Sequence, residues 1–197
     1  MAGAFPTSQG FTAINFKSNT PTLTTETVSG ISFRRQISSQ RWEFTLSLPP
    51  MTRAEFAPVY AFMIKQKGSK ESFTVVAPEI SSTRGTEDGT VLVNGSHTAG
   101  DTTIDIDGLN SGLKAGDLIK FASHQKVYMV IDDANADSNG EATITIEPPL
   151  RENLANDEAI TYNNVPITVR AVNDIQEFQL GNDPVYRIEI DVVEDLN

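Results

Sequence analysis

The 197-residue chain has no cysteine. That excludes disulfide staples, thiolate nucleophiles and cysteine metal sites, and it is compatible with any redox compartment. Histidine is nearly as scarce, with only His97 and His124. Positive charge is in short supply too: Lys and Arg number 15 against 26 Asp and Glu, which leaves a formal net charge of -11 and a pI of about 4.5. Such a surface repels nucleic acid and anionic membranes. No apolar run reaches the roughly 18 residues that mark a spanning helix. The opening Met1-Ala2-Gly3-Ala4-Phe5-Pro6 has neither the basic region nor the apolar stretch of a signal peptide. The chain is therefore expected to act where it is made, or to leave by lysis or a dedicated route. Its length allows one large domain or two small ones, with a core that needs no staples.

The clearest pattern lies between Gly30 and Gly68. In Arg41 to Leu48, Trp42, Phe44, Leu46 and Leu48 alternate with Arg41, Glu43, Thr45 and Ser47. That is the period of a strand with one buried face. Ile31 to Ile37 is read as its hairpin partner, and Pro49-Pro50 ends the second strand by removing two ladder donors. Thr52 and Glu55 have the spacing of a capping box, and Phe56, Val59, Tyr60, Phe62 and Met63 form a helical stripe, so a helix is expected over about 52–67 with Gly68 past its end. Pro58 either bends that helix or starts its main part. Before the hairpin, the Thr-rich stretch from Thr20 to Val28 is a strand or an extended arm able to cross to a neighbouring subunit. After it, Phe73 to Ala77 reads as a further strand.

Ser81 to Gly89 has the composition of a linker. Short strands then follow at Val91–Val93, Thr102–Ile106, Leu118–Phe121, Val127–Ile131 and Ala142–Ile146, with a hairpin turn expected at Asn94-Gly95, so a small barrel or sandwich is predicted. Longer strands return at Val165–Ala171, where Pro166 suggests an edge, at Gln176–Leu180, and at Tyr186–Val192 after a turn at Gly181-Asn182-Asp183-Pro184. The fold class is mainly β. One domain, residues 1–80 with 164–197, is a β-sandwich or barrel with one packed helix. Residues 81–163 form an inserted small β-barrel-like module, since loop-closure entropy grows slowly with insert length. The alternative is two consecutive domains.

No residue pattern carries catalysis. The histidines sit in polar turns, and neither they nor Asp101, Asp105, Asp107 or Asp117 belong to a nucleophile signature. Asp132-Asp133, Glu152 and Asp157 read as solvated loop charges. Asp133 to Gly140 alternates oxygen-bearing residues like the start of a calcium loop, but Ile146 stands where the twelfth-position Glu is required, and a plain hairpin loop serves as well. No catalytic residue, metal site or cofactor is assigned. Arg34, Arg35 and Arg41 cluster in an acidic chain, either as ordinary exposed charge or as an intersubunit salt bridge to Glu189 and Asp191, or to Glu194 and Asp195.

The layout resembles the tail-tube and distal-tail (tail hub) proteins of tailed bacteriophages. The resemblance is carried by Arg41-Trp42-Glu43-Phe44-Thr45-Leu46, Leu48-Pro49-Pro50-Met51, the helix from Thr52 to Gly68, and Gly112 to Phe121 followed by Lys126-Val127-Tyr128-Met129-Val130. It implies a non-enzymatic virion protein, assembled in host cytoplasm and located in the tail. Its sheet-and-helix domain would form a hexameric ring through which DNA passes without specific binding, and its insert would face other tail proteins such as tube, baseplate or sheath. The competing class is a carbohydrate-binding or adhesin-type β module, whose sugar platforms would have to be Tyr128 or Tyr162.

Overall fold

The computed structural model describes residues 3–8, 10–37, 39–175, 177–180 and 185–196. In chain order its elements are β1 (Ala13–Asn19), β2 (Thr22–Glu26), β3 (Ser32–Gln36), β4 (Arg41–Ser47), α1 (Arg53–Lys65), β5 (Phe73–Val75), β6 (Leu92–Val93), β7 (Thr103–Asp107), β8 (Gly112–Leu113) and β9 (Leu118–Phe121). There follow β10 (Tyr128–Val130), β11 (Ala134–Asn135), β12 (Ala142–Glu147), β13 (Ile160–Thr161), β14 (Ile167–Ala171), β15 (Gln179–Leu180), β16 (Tyr186–Arg187) and β17 (Glu189–Glu194). Two compact units result, 1–73 with 169–194, and 74–168 with 195–197. The fold is mainly β with one helix among the described residues, as its periodicities predict.

A five-stranded sheet runs in the order β1-β4-β17-β14-β5. The alternation in β4 becomes physical here: Trp42, Phe44 and Leu46 are buried while Arg41, Glu43, Thr45 and Ser47 are partly exposed. Antiparallel pairing sets Phe16 opposite Phe44 on one side and Val192 opposite Phe44 on the other, so the inward faces of three strands coincide. Phe16 stacks on Trp42 at 4.8 Å between ring centroids. The buried Glu194 carboxylate accepts the Trp42 backbone N–H at 3.1 Å.

The expected hairpin is not there. β3 pairs with β2 as a separate two-stranded ribbon, and β4 takes β1 and β17 as neighbours. The apolar residues of Ile31–Ile37 alternate correctly but meet no core. β14 also differs from expectation: it lies inside the sheet between β17 and β5, buried on both faces, and Pro166 stands just before its first residue, where it breaks no ladder bond. The turn expected at 181–184, and Gln176, lie outside the described residues.

Helix α1 starts as its capping signal requires. The Glu55 carboxylate accepts the backbone N–H and the hydroxyl of Thr52, each at 2.8 Å. Those two bonds, the backbone one first, hold the Glu55 carboxyl below its usual range. The helix is continuous through Pro58, which is exposed and whose missing N–H costs the Ala54 carbonyl its helical donor. Phe56, Val59 and Met63 are buried. Phe56 stacks on Tyr186 at 4.6 Å, and Phe62 meets Phe5 and Phe73 edge-on. At the C-terminus Lys67, with φ 57, takes the left-handed position expected of Gly68, and Gly68 follows at φ 71.

In the second unit, six strands run in the order β13-β9-β10-β12-β7-β6. Its two edges meet: the Val93 N–H donates to the Glu158 carbonyl, and the Ile160 N–H to that of Val91. The sheet is thus nearly a closed barrel, which decides between barrel and sandwich and hides both edges. Ile104, Ile106, Ile119, Phe121, Tyr128 and Ile144 fill its interior, all fully buried. The turn expected at Asn94-Gly95 is instead the start of a nine-residue connection, 94–102, tied down at His97 by a bridge to Leu154.

Leu46 has no exposed surface. Leu46→Ala is expected to cost about 2–5 kcal/mol, and Ile31→Ala, on the exposed ribbon, no more than about 0.5 kcal/mol. Urea unfolding of the two variants followed by Trp42 fluorescence measures both.

Candidate functional site

The outward face of β1, β4 and β17 is built from the polar half of each alternating strand. Cross-strand neighbours on that face hydrogen-bond: Thr45 Oγ1 donates to Asp191 Oδ1 at 2.6 Å, Ser47 Oγ to Glu189 Oε1 at 3.3 Å, and Asn19 Nδ2 to Glu43 Oε1 at 2.6 Å. Glu189 and Asp191 therefore sit together, opposite Ser47 and Thr45. Arg41 shares their face but lies at the other end of β4, opposite Asn19. It is four positions from Thr45, about 13 Å along a strand, beyond ion-pair reach of Asp191 within one copy. Arg34 and Arg35 lie on β3, in a different sheet. The arginines are thus not one cluster. Glu194, a further partner considered for them, is fully buried against Trp42 and cannot meet another subunit.

The polar residues that chemistry would need are engaged in structure. His124 is buried, its Nδ1 2.8 Å from the Tyr128 hydroxyl. His97 Nε2 accepts the Asp105 backbone N–H at 3.2 Å. Neither ring has a serine or threonine hydroxyl as its described partner. Tyr128 is fully buried and its oxygen accepts the Arg151 N–H. Tyr162 is also buried and donates to the Gly89 carbonyl at 2.6 Å. Burial, then the nearby Glu87 and Asp88 charges, push the Tyr162 hydroxyl pKa up. Neither ring offers a face to a sugar. In the loop weighed for calcium, Asp137 Oδ1 accepts the N–H groups of Asn139 and Glu141, and Asp133 accepts that of Ala115 and pairs with Lys114 at 3.5 Å. The backbone donors of Glu141 and Asn139 lower the Asp137 pKa, and that of Ala115 lowers the pKa of Asp133. These are turn-forming roles, and no group of three metal-ligating side chains occurs among the described residues.

Two buried carboxylates escaped the sequence reading. The segment 81–89, linker-like by composition, is bound to the barrel. Asp117 accepts the Thr83 hydroxyl and the N–H groups of Arg84 and Lys114 at 2.7–2.8 Å. Arg84 Nη1 donates to the Ala115 carbonyl. Glu87 accepts N–H groups from Gly89, Asn110, Ser111 and Gly112 at 2.6–3.0 Å. Burial alone would raise the Glu87 pKa, but the four donors together outweigh it and hold it at about 2. A Thr-Glu-Asp-Gly stretch gives little sign of this, because three of the four donors come from a turn more than twenty residues away. The Leu23, Ile31, Phe33 and Ile37 side chains of the β2–β3 ribbon, 49–62% exposed, were visible as an alternating run, but their exposure was not.

Two family models match consecutive stretches of the chain. One described as "Distal tail protein pb9, A domain, N-terminal" matches residues 4–80, and one described as "Distal tail protein pb9, B domain" matches residues 79–165. The chain is also similar to the distal tail protein pb9 of Escherichia phage T5, with 25% identity over 167 residues, 83% of this chain and 80% of that protein.

The second match contains Glu87, and its carboxylate has a testable signature. The folded pKa of about 2 lies below the ordinary 4.5. The stabilisation is therefore complete above pH 4.5 and lost as pH falls toward 2, to a total of about 3 kcal/mol. Glu87→Gln is expected to lower the melting temperature at pH 7 and to flatten its decline between pH 4.5 and 2, as read by calorimetry.

Proposed function

Starting from the fact that this chain belongs to the distal tail proteins of tailed bacteriophages, a structural component of the virion tail, we propose that it forms a closed homo-oligomeric ring, hexameric by the resemblance, at the tail hub or tube end. The ring lines a passage for DNA. Its partners are copies of itself and neighbouring tail proteins, with the 81–163 module turned toward the latter. It catalyses no reaction, and it assembles in host cytoplasm before lysis.

The observation that supports this best is the construction of the five-stranded sheet. Its inner face closes the core, and its outer face is a polar surface of paired side chains, Thr45 with Asp191 and Ser47 with Glu189. Such a face meets water or another subunit. A charge of -11 suits a passage whose walls repel phosphate, so that DNA slides without sticking. Arg34, Arg35 and Arg41 then pair with Glu189 and Asp191 of adjacent copies. The burial of Tyr128 and Tyr162 leaves the sugar-binding alternative without its platforms.

Sedimentation velocity over a concentration series, together with negative-stain microscopy, tests the reading. Discrete rings of one symmetry are expected. A chain that stays monomeric both at high concentration and in the presence of its tail partners overturns it. Duplex DNA should show no measurable binding at physiological salt.

A further inference from the structure

We infer that residues 148–158 form a strap on the barrel that acid releases, with the chain's two histidines, His97 and His124, as its latches.

The strap connects β12 to β13. It turns Leu150 and Leu154 into the barrel's apolar core, while Arg151, Glu152 and Asn153 are exposed. Its backbone is tied to the 94–102 connection. The Gly100 N–H donates to the Leu150 carbonyl and the Leu150 N–H to that of Asp101, and His97 and Leu154 exchange both of their N–H bonds, at 3.2 and 2.9 Å. The side-chain oxygens of Asn153 and Asn156 accept the Ala99 and Gly95 N–H groups. Lifting the strap breaks these ties and brings two leucines into water.

Both histidines serve this joint as neutral rings. The Asn94 N–H donates to the Asp105 carbonyl, and the Asp105 N–H donates in turn to His97 Nε2 at 3.2 Å. The imidazole thus stands where a strand would next offer a carbonyl, and it can accept only while that nitrogen carries no proton. His124 is 2% exposed. Its Nδ1 lies 2.8 Å from the Tyr128 hydroxyl, whose oxygen also accepts the Arg151 N–H of the strap at 3.1 Å. Its Nε2 is buried with no hydrogen-bond partner among the described residues. A second proton makes every ring nitrogen a donor. At His97 that sets a donor against the Asp105 N–H. At His124 it places a positive charge in the interior, and Nδ1 must share the Tyr128 oxygen with the strap.

The surrounding charges differ between the two. His97 has Asp105 on β7 and Asp101 on its own connection, with the exposed Glu152 and Asp157 on the strap. Carboxylates offset a charged ring there but cannot restore its acceptor. Around His124 are Tyr128, the buried Lys126, and on the strap Arg151 and Glu158, the last bound to Ser123. Lys126 and Arg151 have the sign that opposes a charged ring. A ring kept neutral when the strap is closed and free to charge when it is open favours closure above the ordinary histidine range. That support is lost as pH falls through it. With an ordinary value of about 6.5, each histidine can favour opening by up to roughly thirtyfold between pH 8 and pH 5. Glu87, held at about 2, takes its proton well below that window.

Hydrogen exchange of the full chain at those two pH values, corrected for intrinsic rates, tests the latch. Protection of the Gly100, Leu150 and Leu154 amides is expected to fall about tenfold or more at the lower pH, while β4 and β17 keep theirs. His97→Gln combined with His124→Gln removes both titrating rings and leaves an oxygen able to accept at either place, so protection should stay constant. Should that variant fail to fold at the higher pH, the wild-type ring-proton signals in NMR decide alone, and they should titrate in step with the strap amides. Strap protection that does not change in the wild type, a fall that persists in the double variant, or rings that charge with no change in the strap overturns the inference. So does an equal loss of protection in both units, which is acid unfolding of the whole chain.

Discussion

Everything in the first unit depends on the register of β4 between two strands that are remote from each other in sequence. Thr45 and Asp191 are 146 residues apart and share a hydrogen bond across neighbouring strands. Because strand side chains alternate, one pairing puts Phe16, Trp42, Phe44, Leu46, Ile190 and Val192 on the same side. A slip by a single residue in either neighbour would send that strand's apolar set into water and its charges into the core. The buried Glu194 reinforces the choice. Its carboxylate is satisfied at the Trp42 N–H in this register, and leaving it unpartnered in another would cost several kcal/mol.

Polar groups do a comparable job in the second unit. The barrel buries an aliphatic interior, but its attachment to the incoming chain is made by carboxylates. Asp117 and Glu87 each gather backbone donors that turns leave without a helix or sheet partner. An anion held by several N–H groups in a low-dielectric site is rigid, and it fixes where the chain enters. A segment rich in Ser, Thr and Gly thereby becomes ordered structure. Tyr162, buried and donating to the Gly89 carbonyl, holds the same entry from the barrel's last strands.

The legible parts of the fold were those whose pattern is local. Strand β4, helix α1 with its Thr52–Glu55 cap, and the short barrel strands β7, β9, β10 and β12 all lie where alternation or helical spacing puts them. The errors share one cause. Ile31 to Ile37 alternates as cleanly as Arg41 to Leu48, yet one run is exposed and the other is core, because alternation records that a strand has two faces and not what lies against them. Pro166 gives a false sign of an edge at β14 for the same reason: whether a strand is central depends on neighbours that its own residues do not name. Of the candidate interface residues, Glu189 and Asp191 could be placed together from their spacing of two. Arg34 and Arg41 could not be separated without knowing that their strands belong to different sheets.

What the amino-acid sequence determined by itself is chemical inventory and local period: an acidic chain without cysteine, alternating strands with defined inner faces, one capped helix, and no catalytic constellation. What only the tertiary structure decided is partnership. It chose β17 and β1 for β4, closed the middle strands into a barrel, drew Glu87 and Asp117 inward, and left the Leu23–Phe33 face uncovered. The physical reason is that periodicity is set by bonds between adjacent residues, whereas partnership is set by burial and hydrogen bonding summed over residues from tens to more than a hundred positions apart.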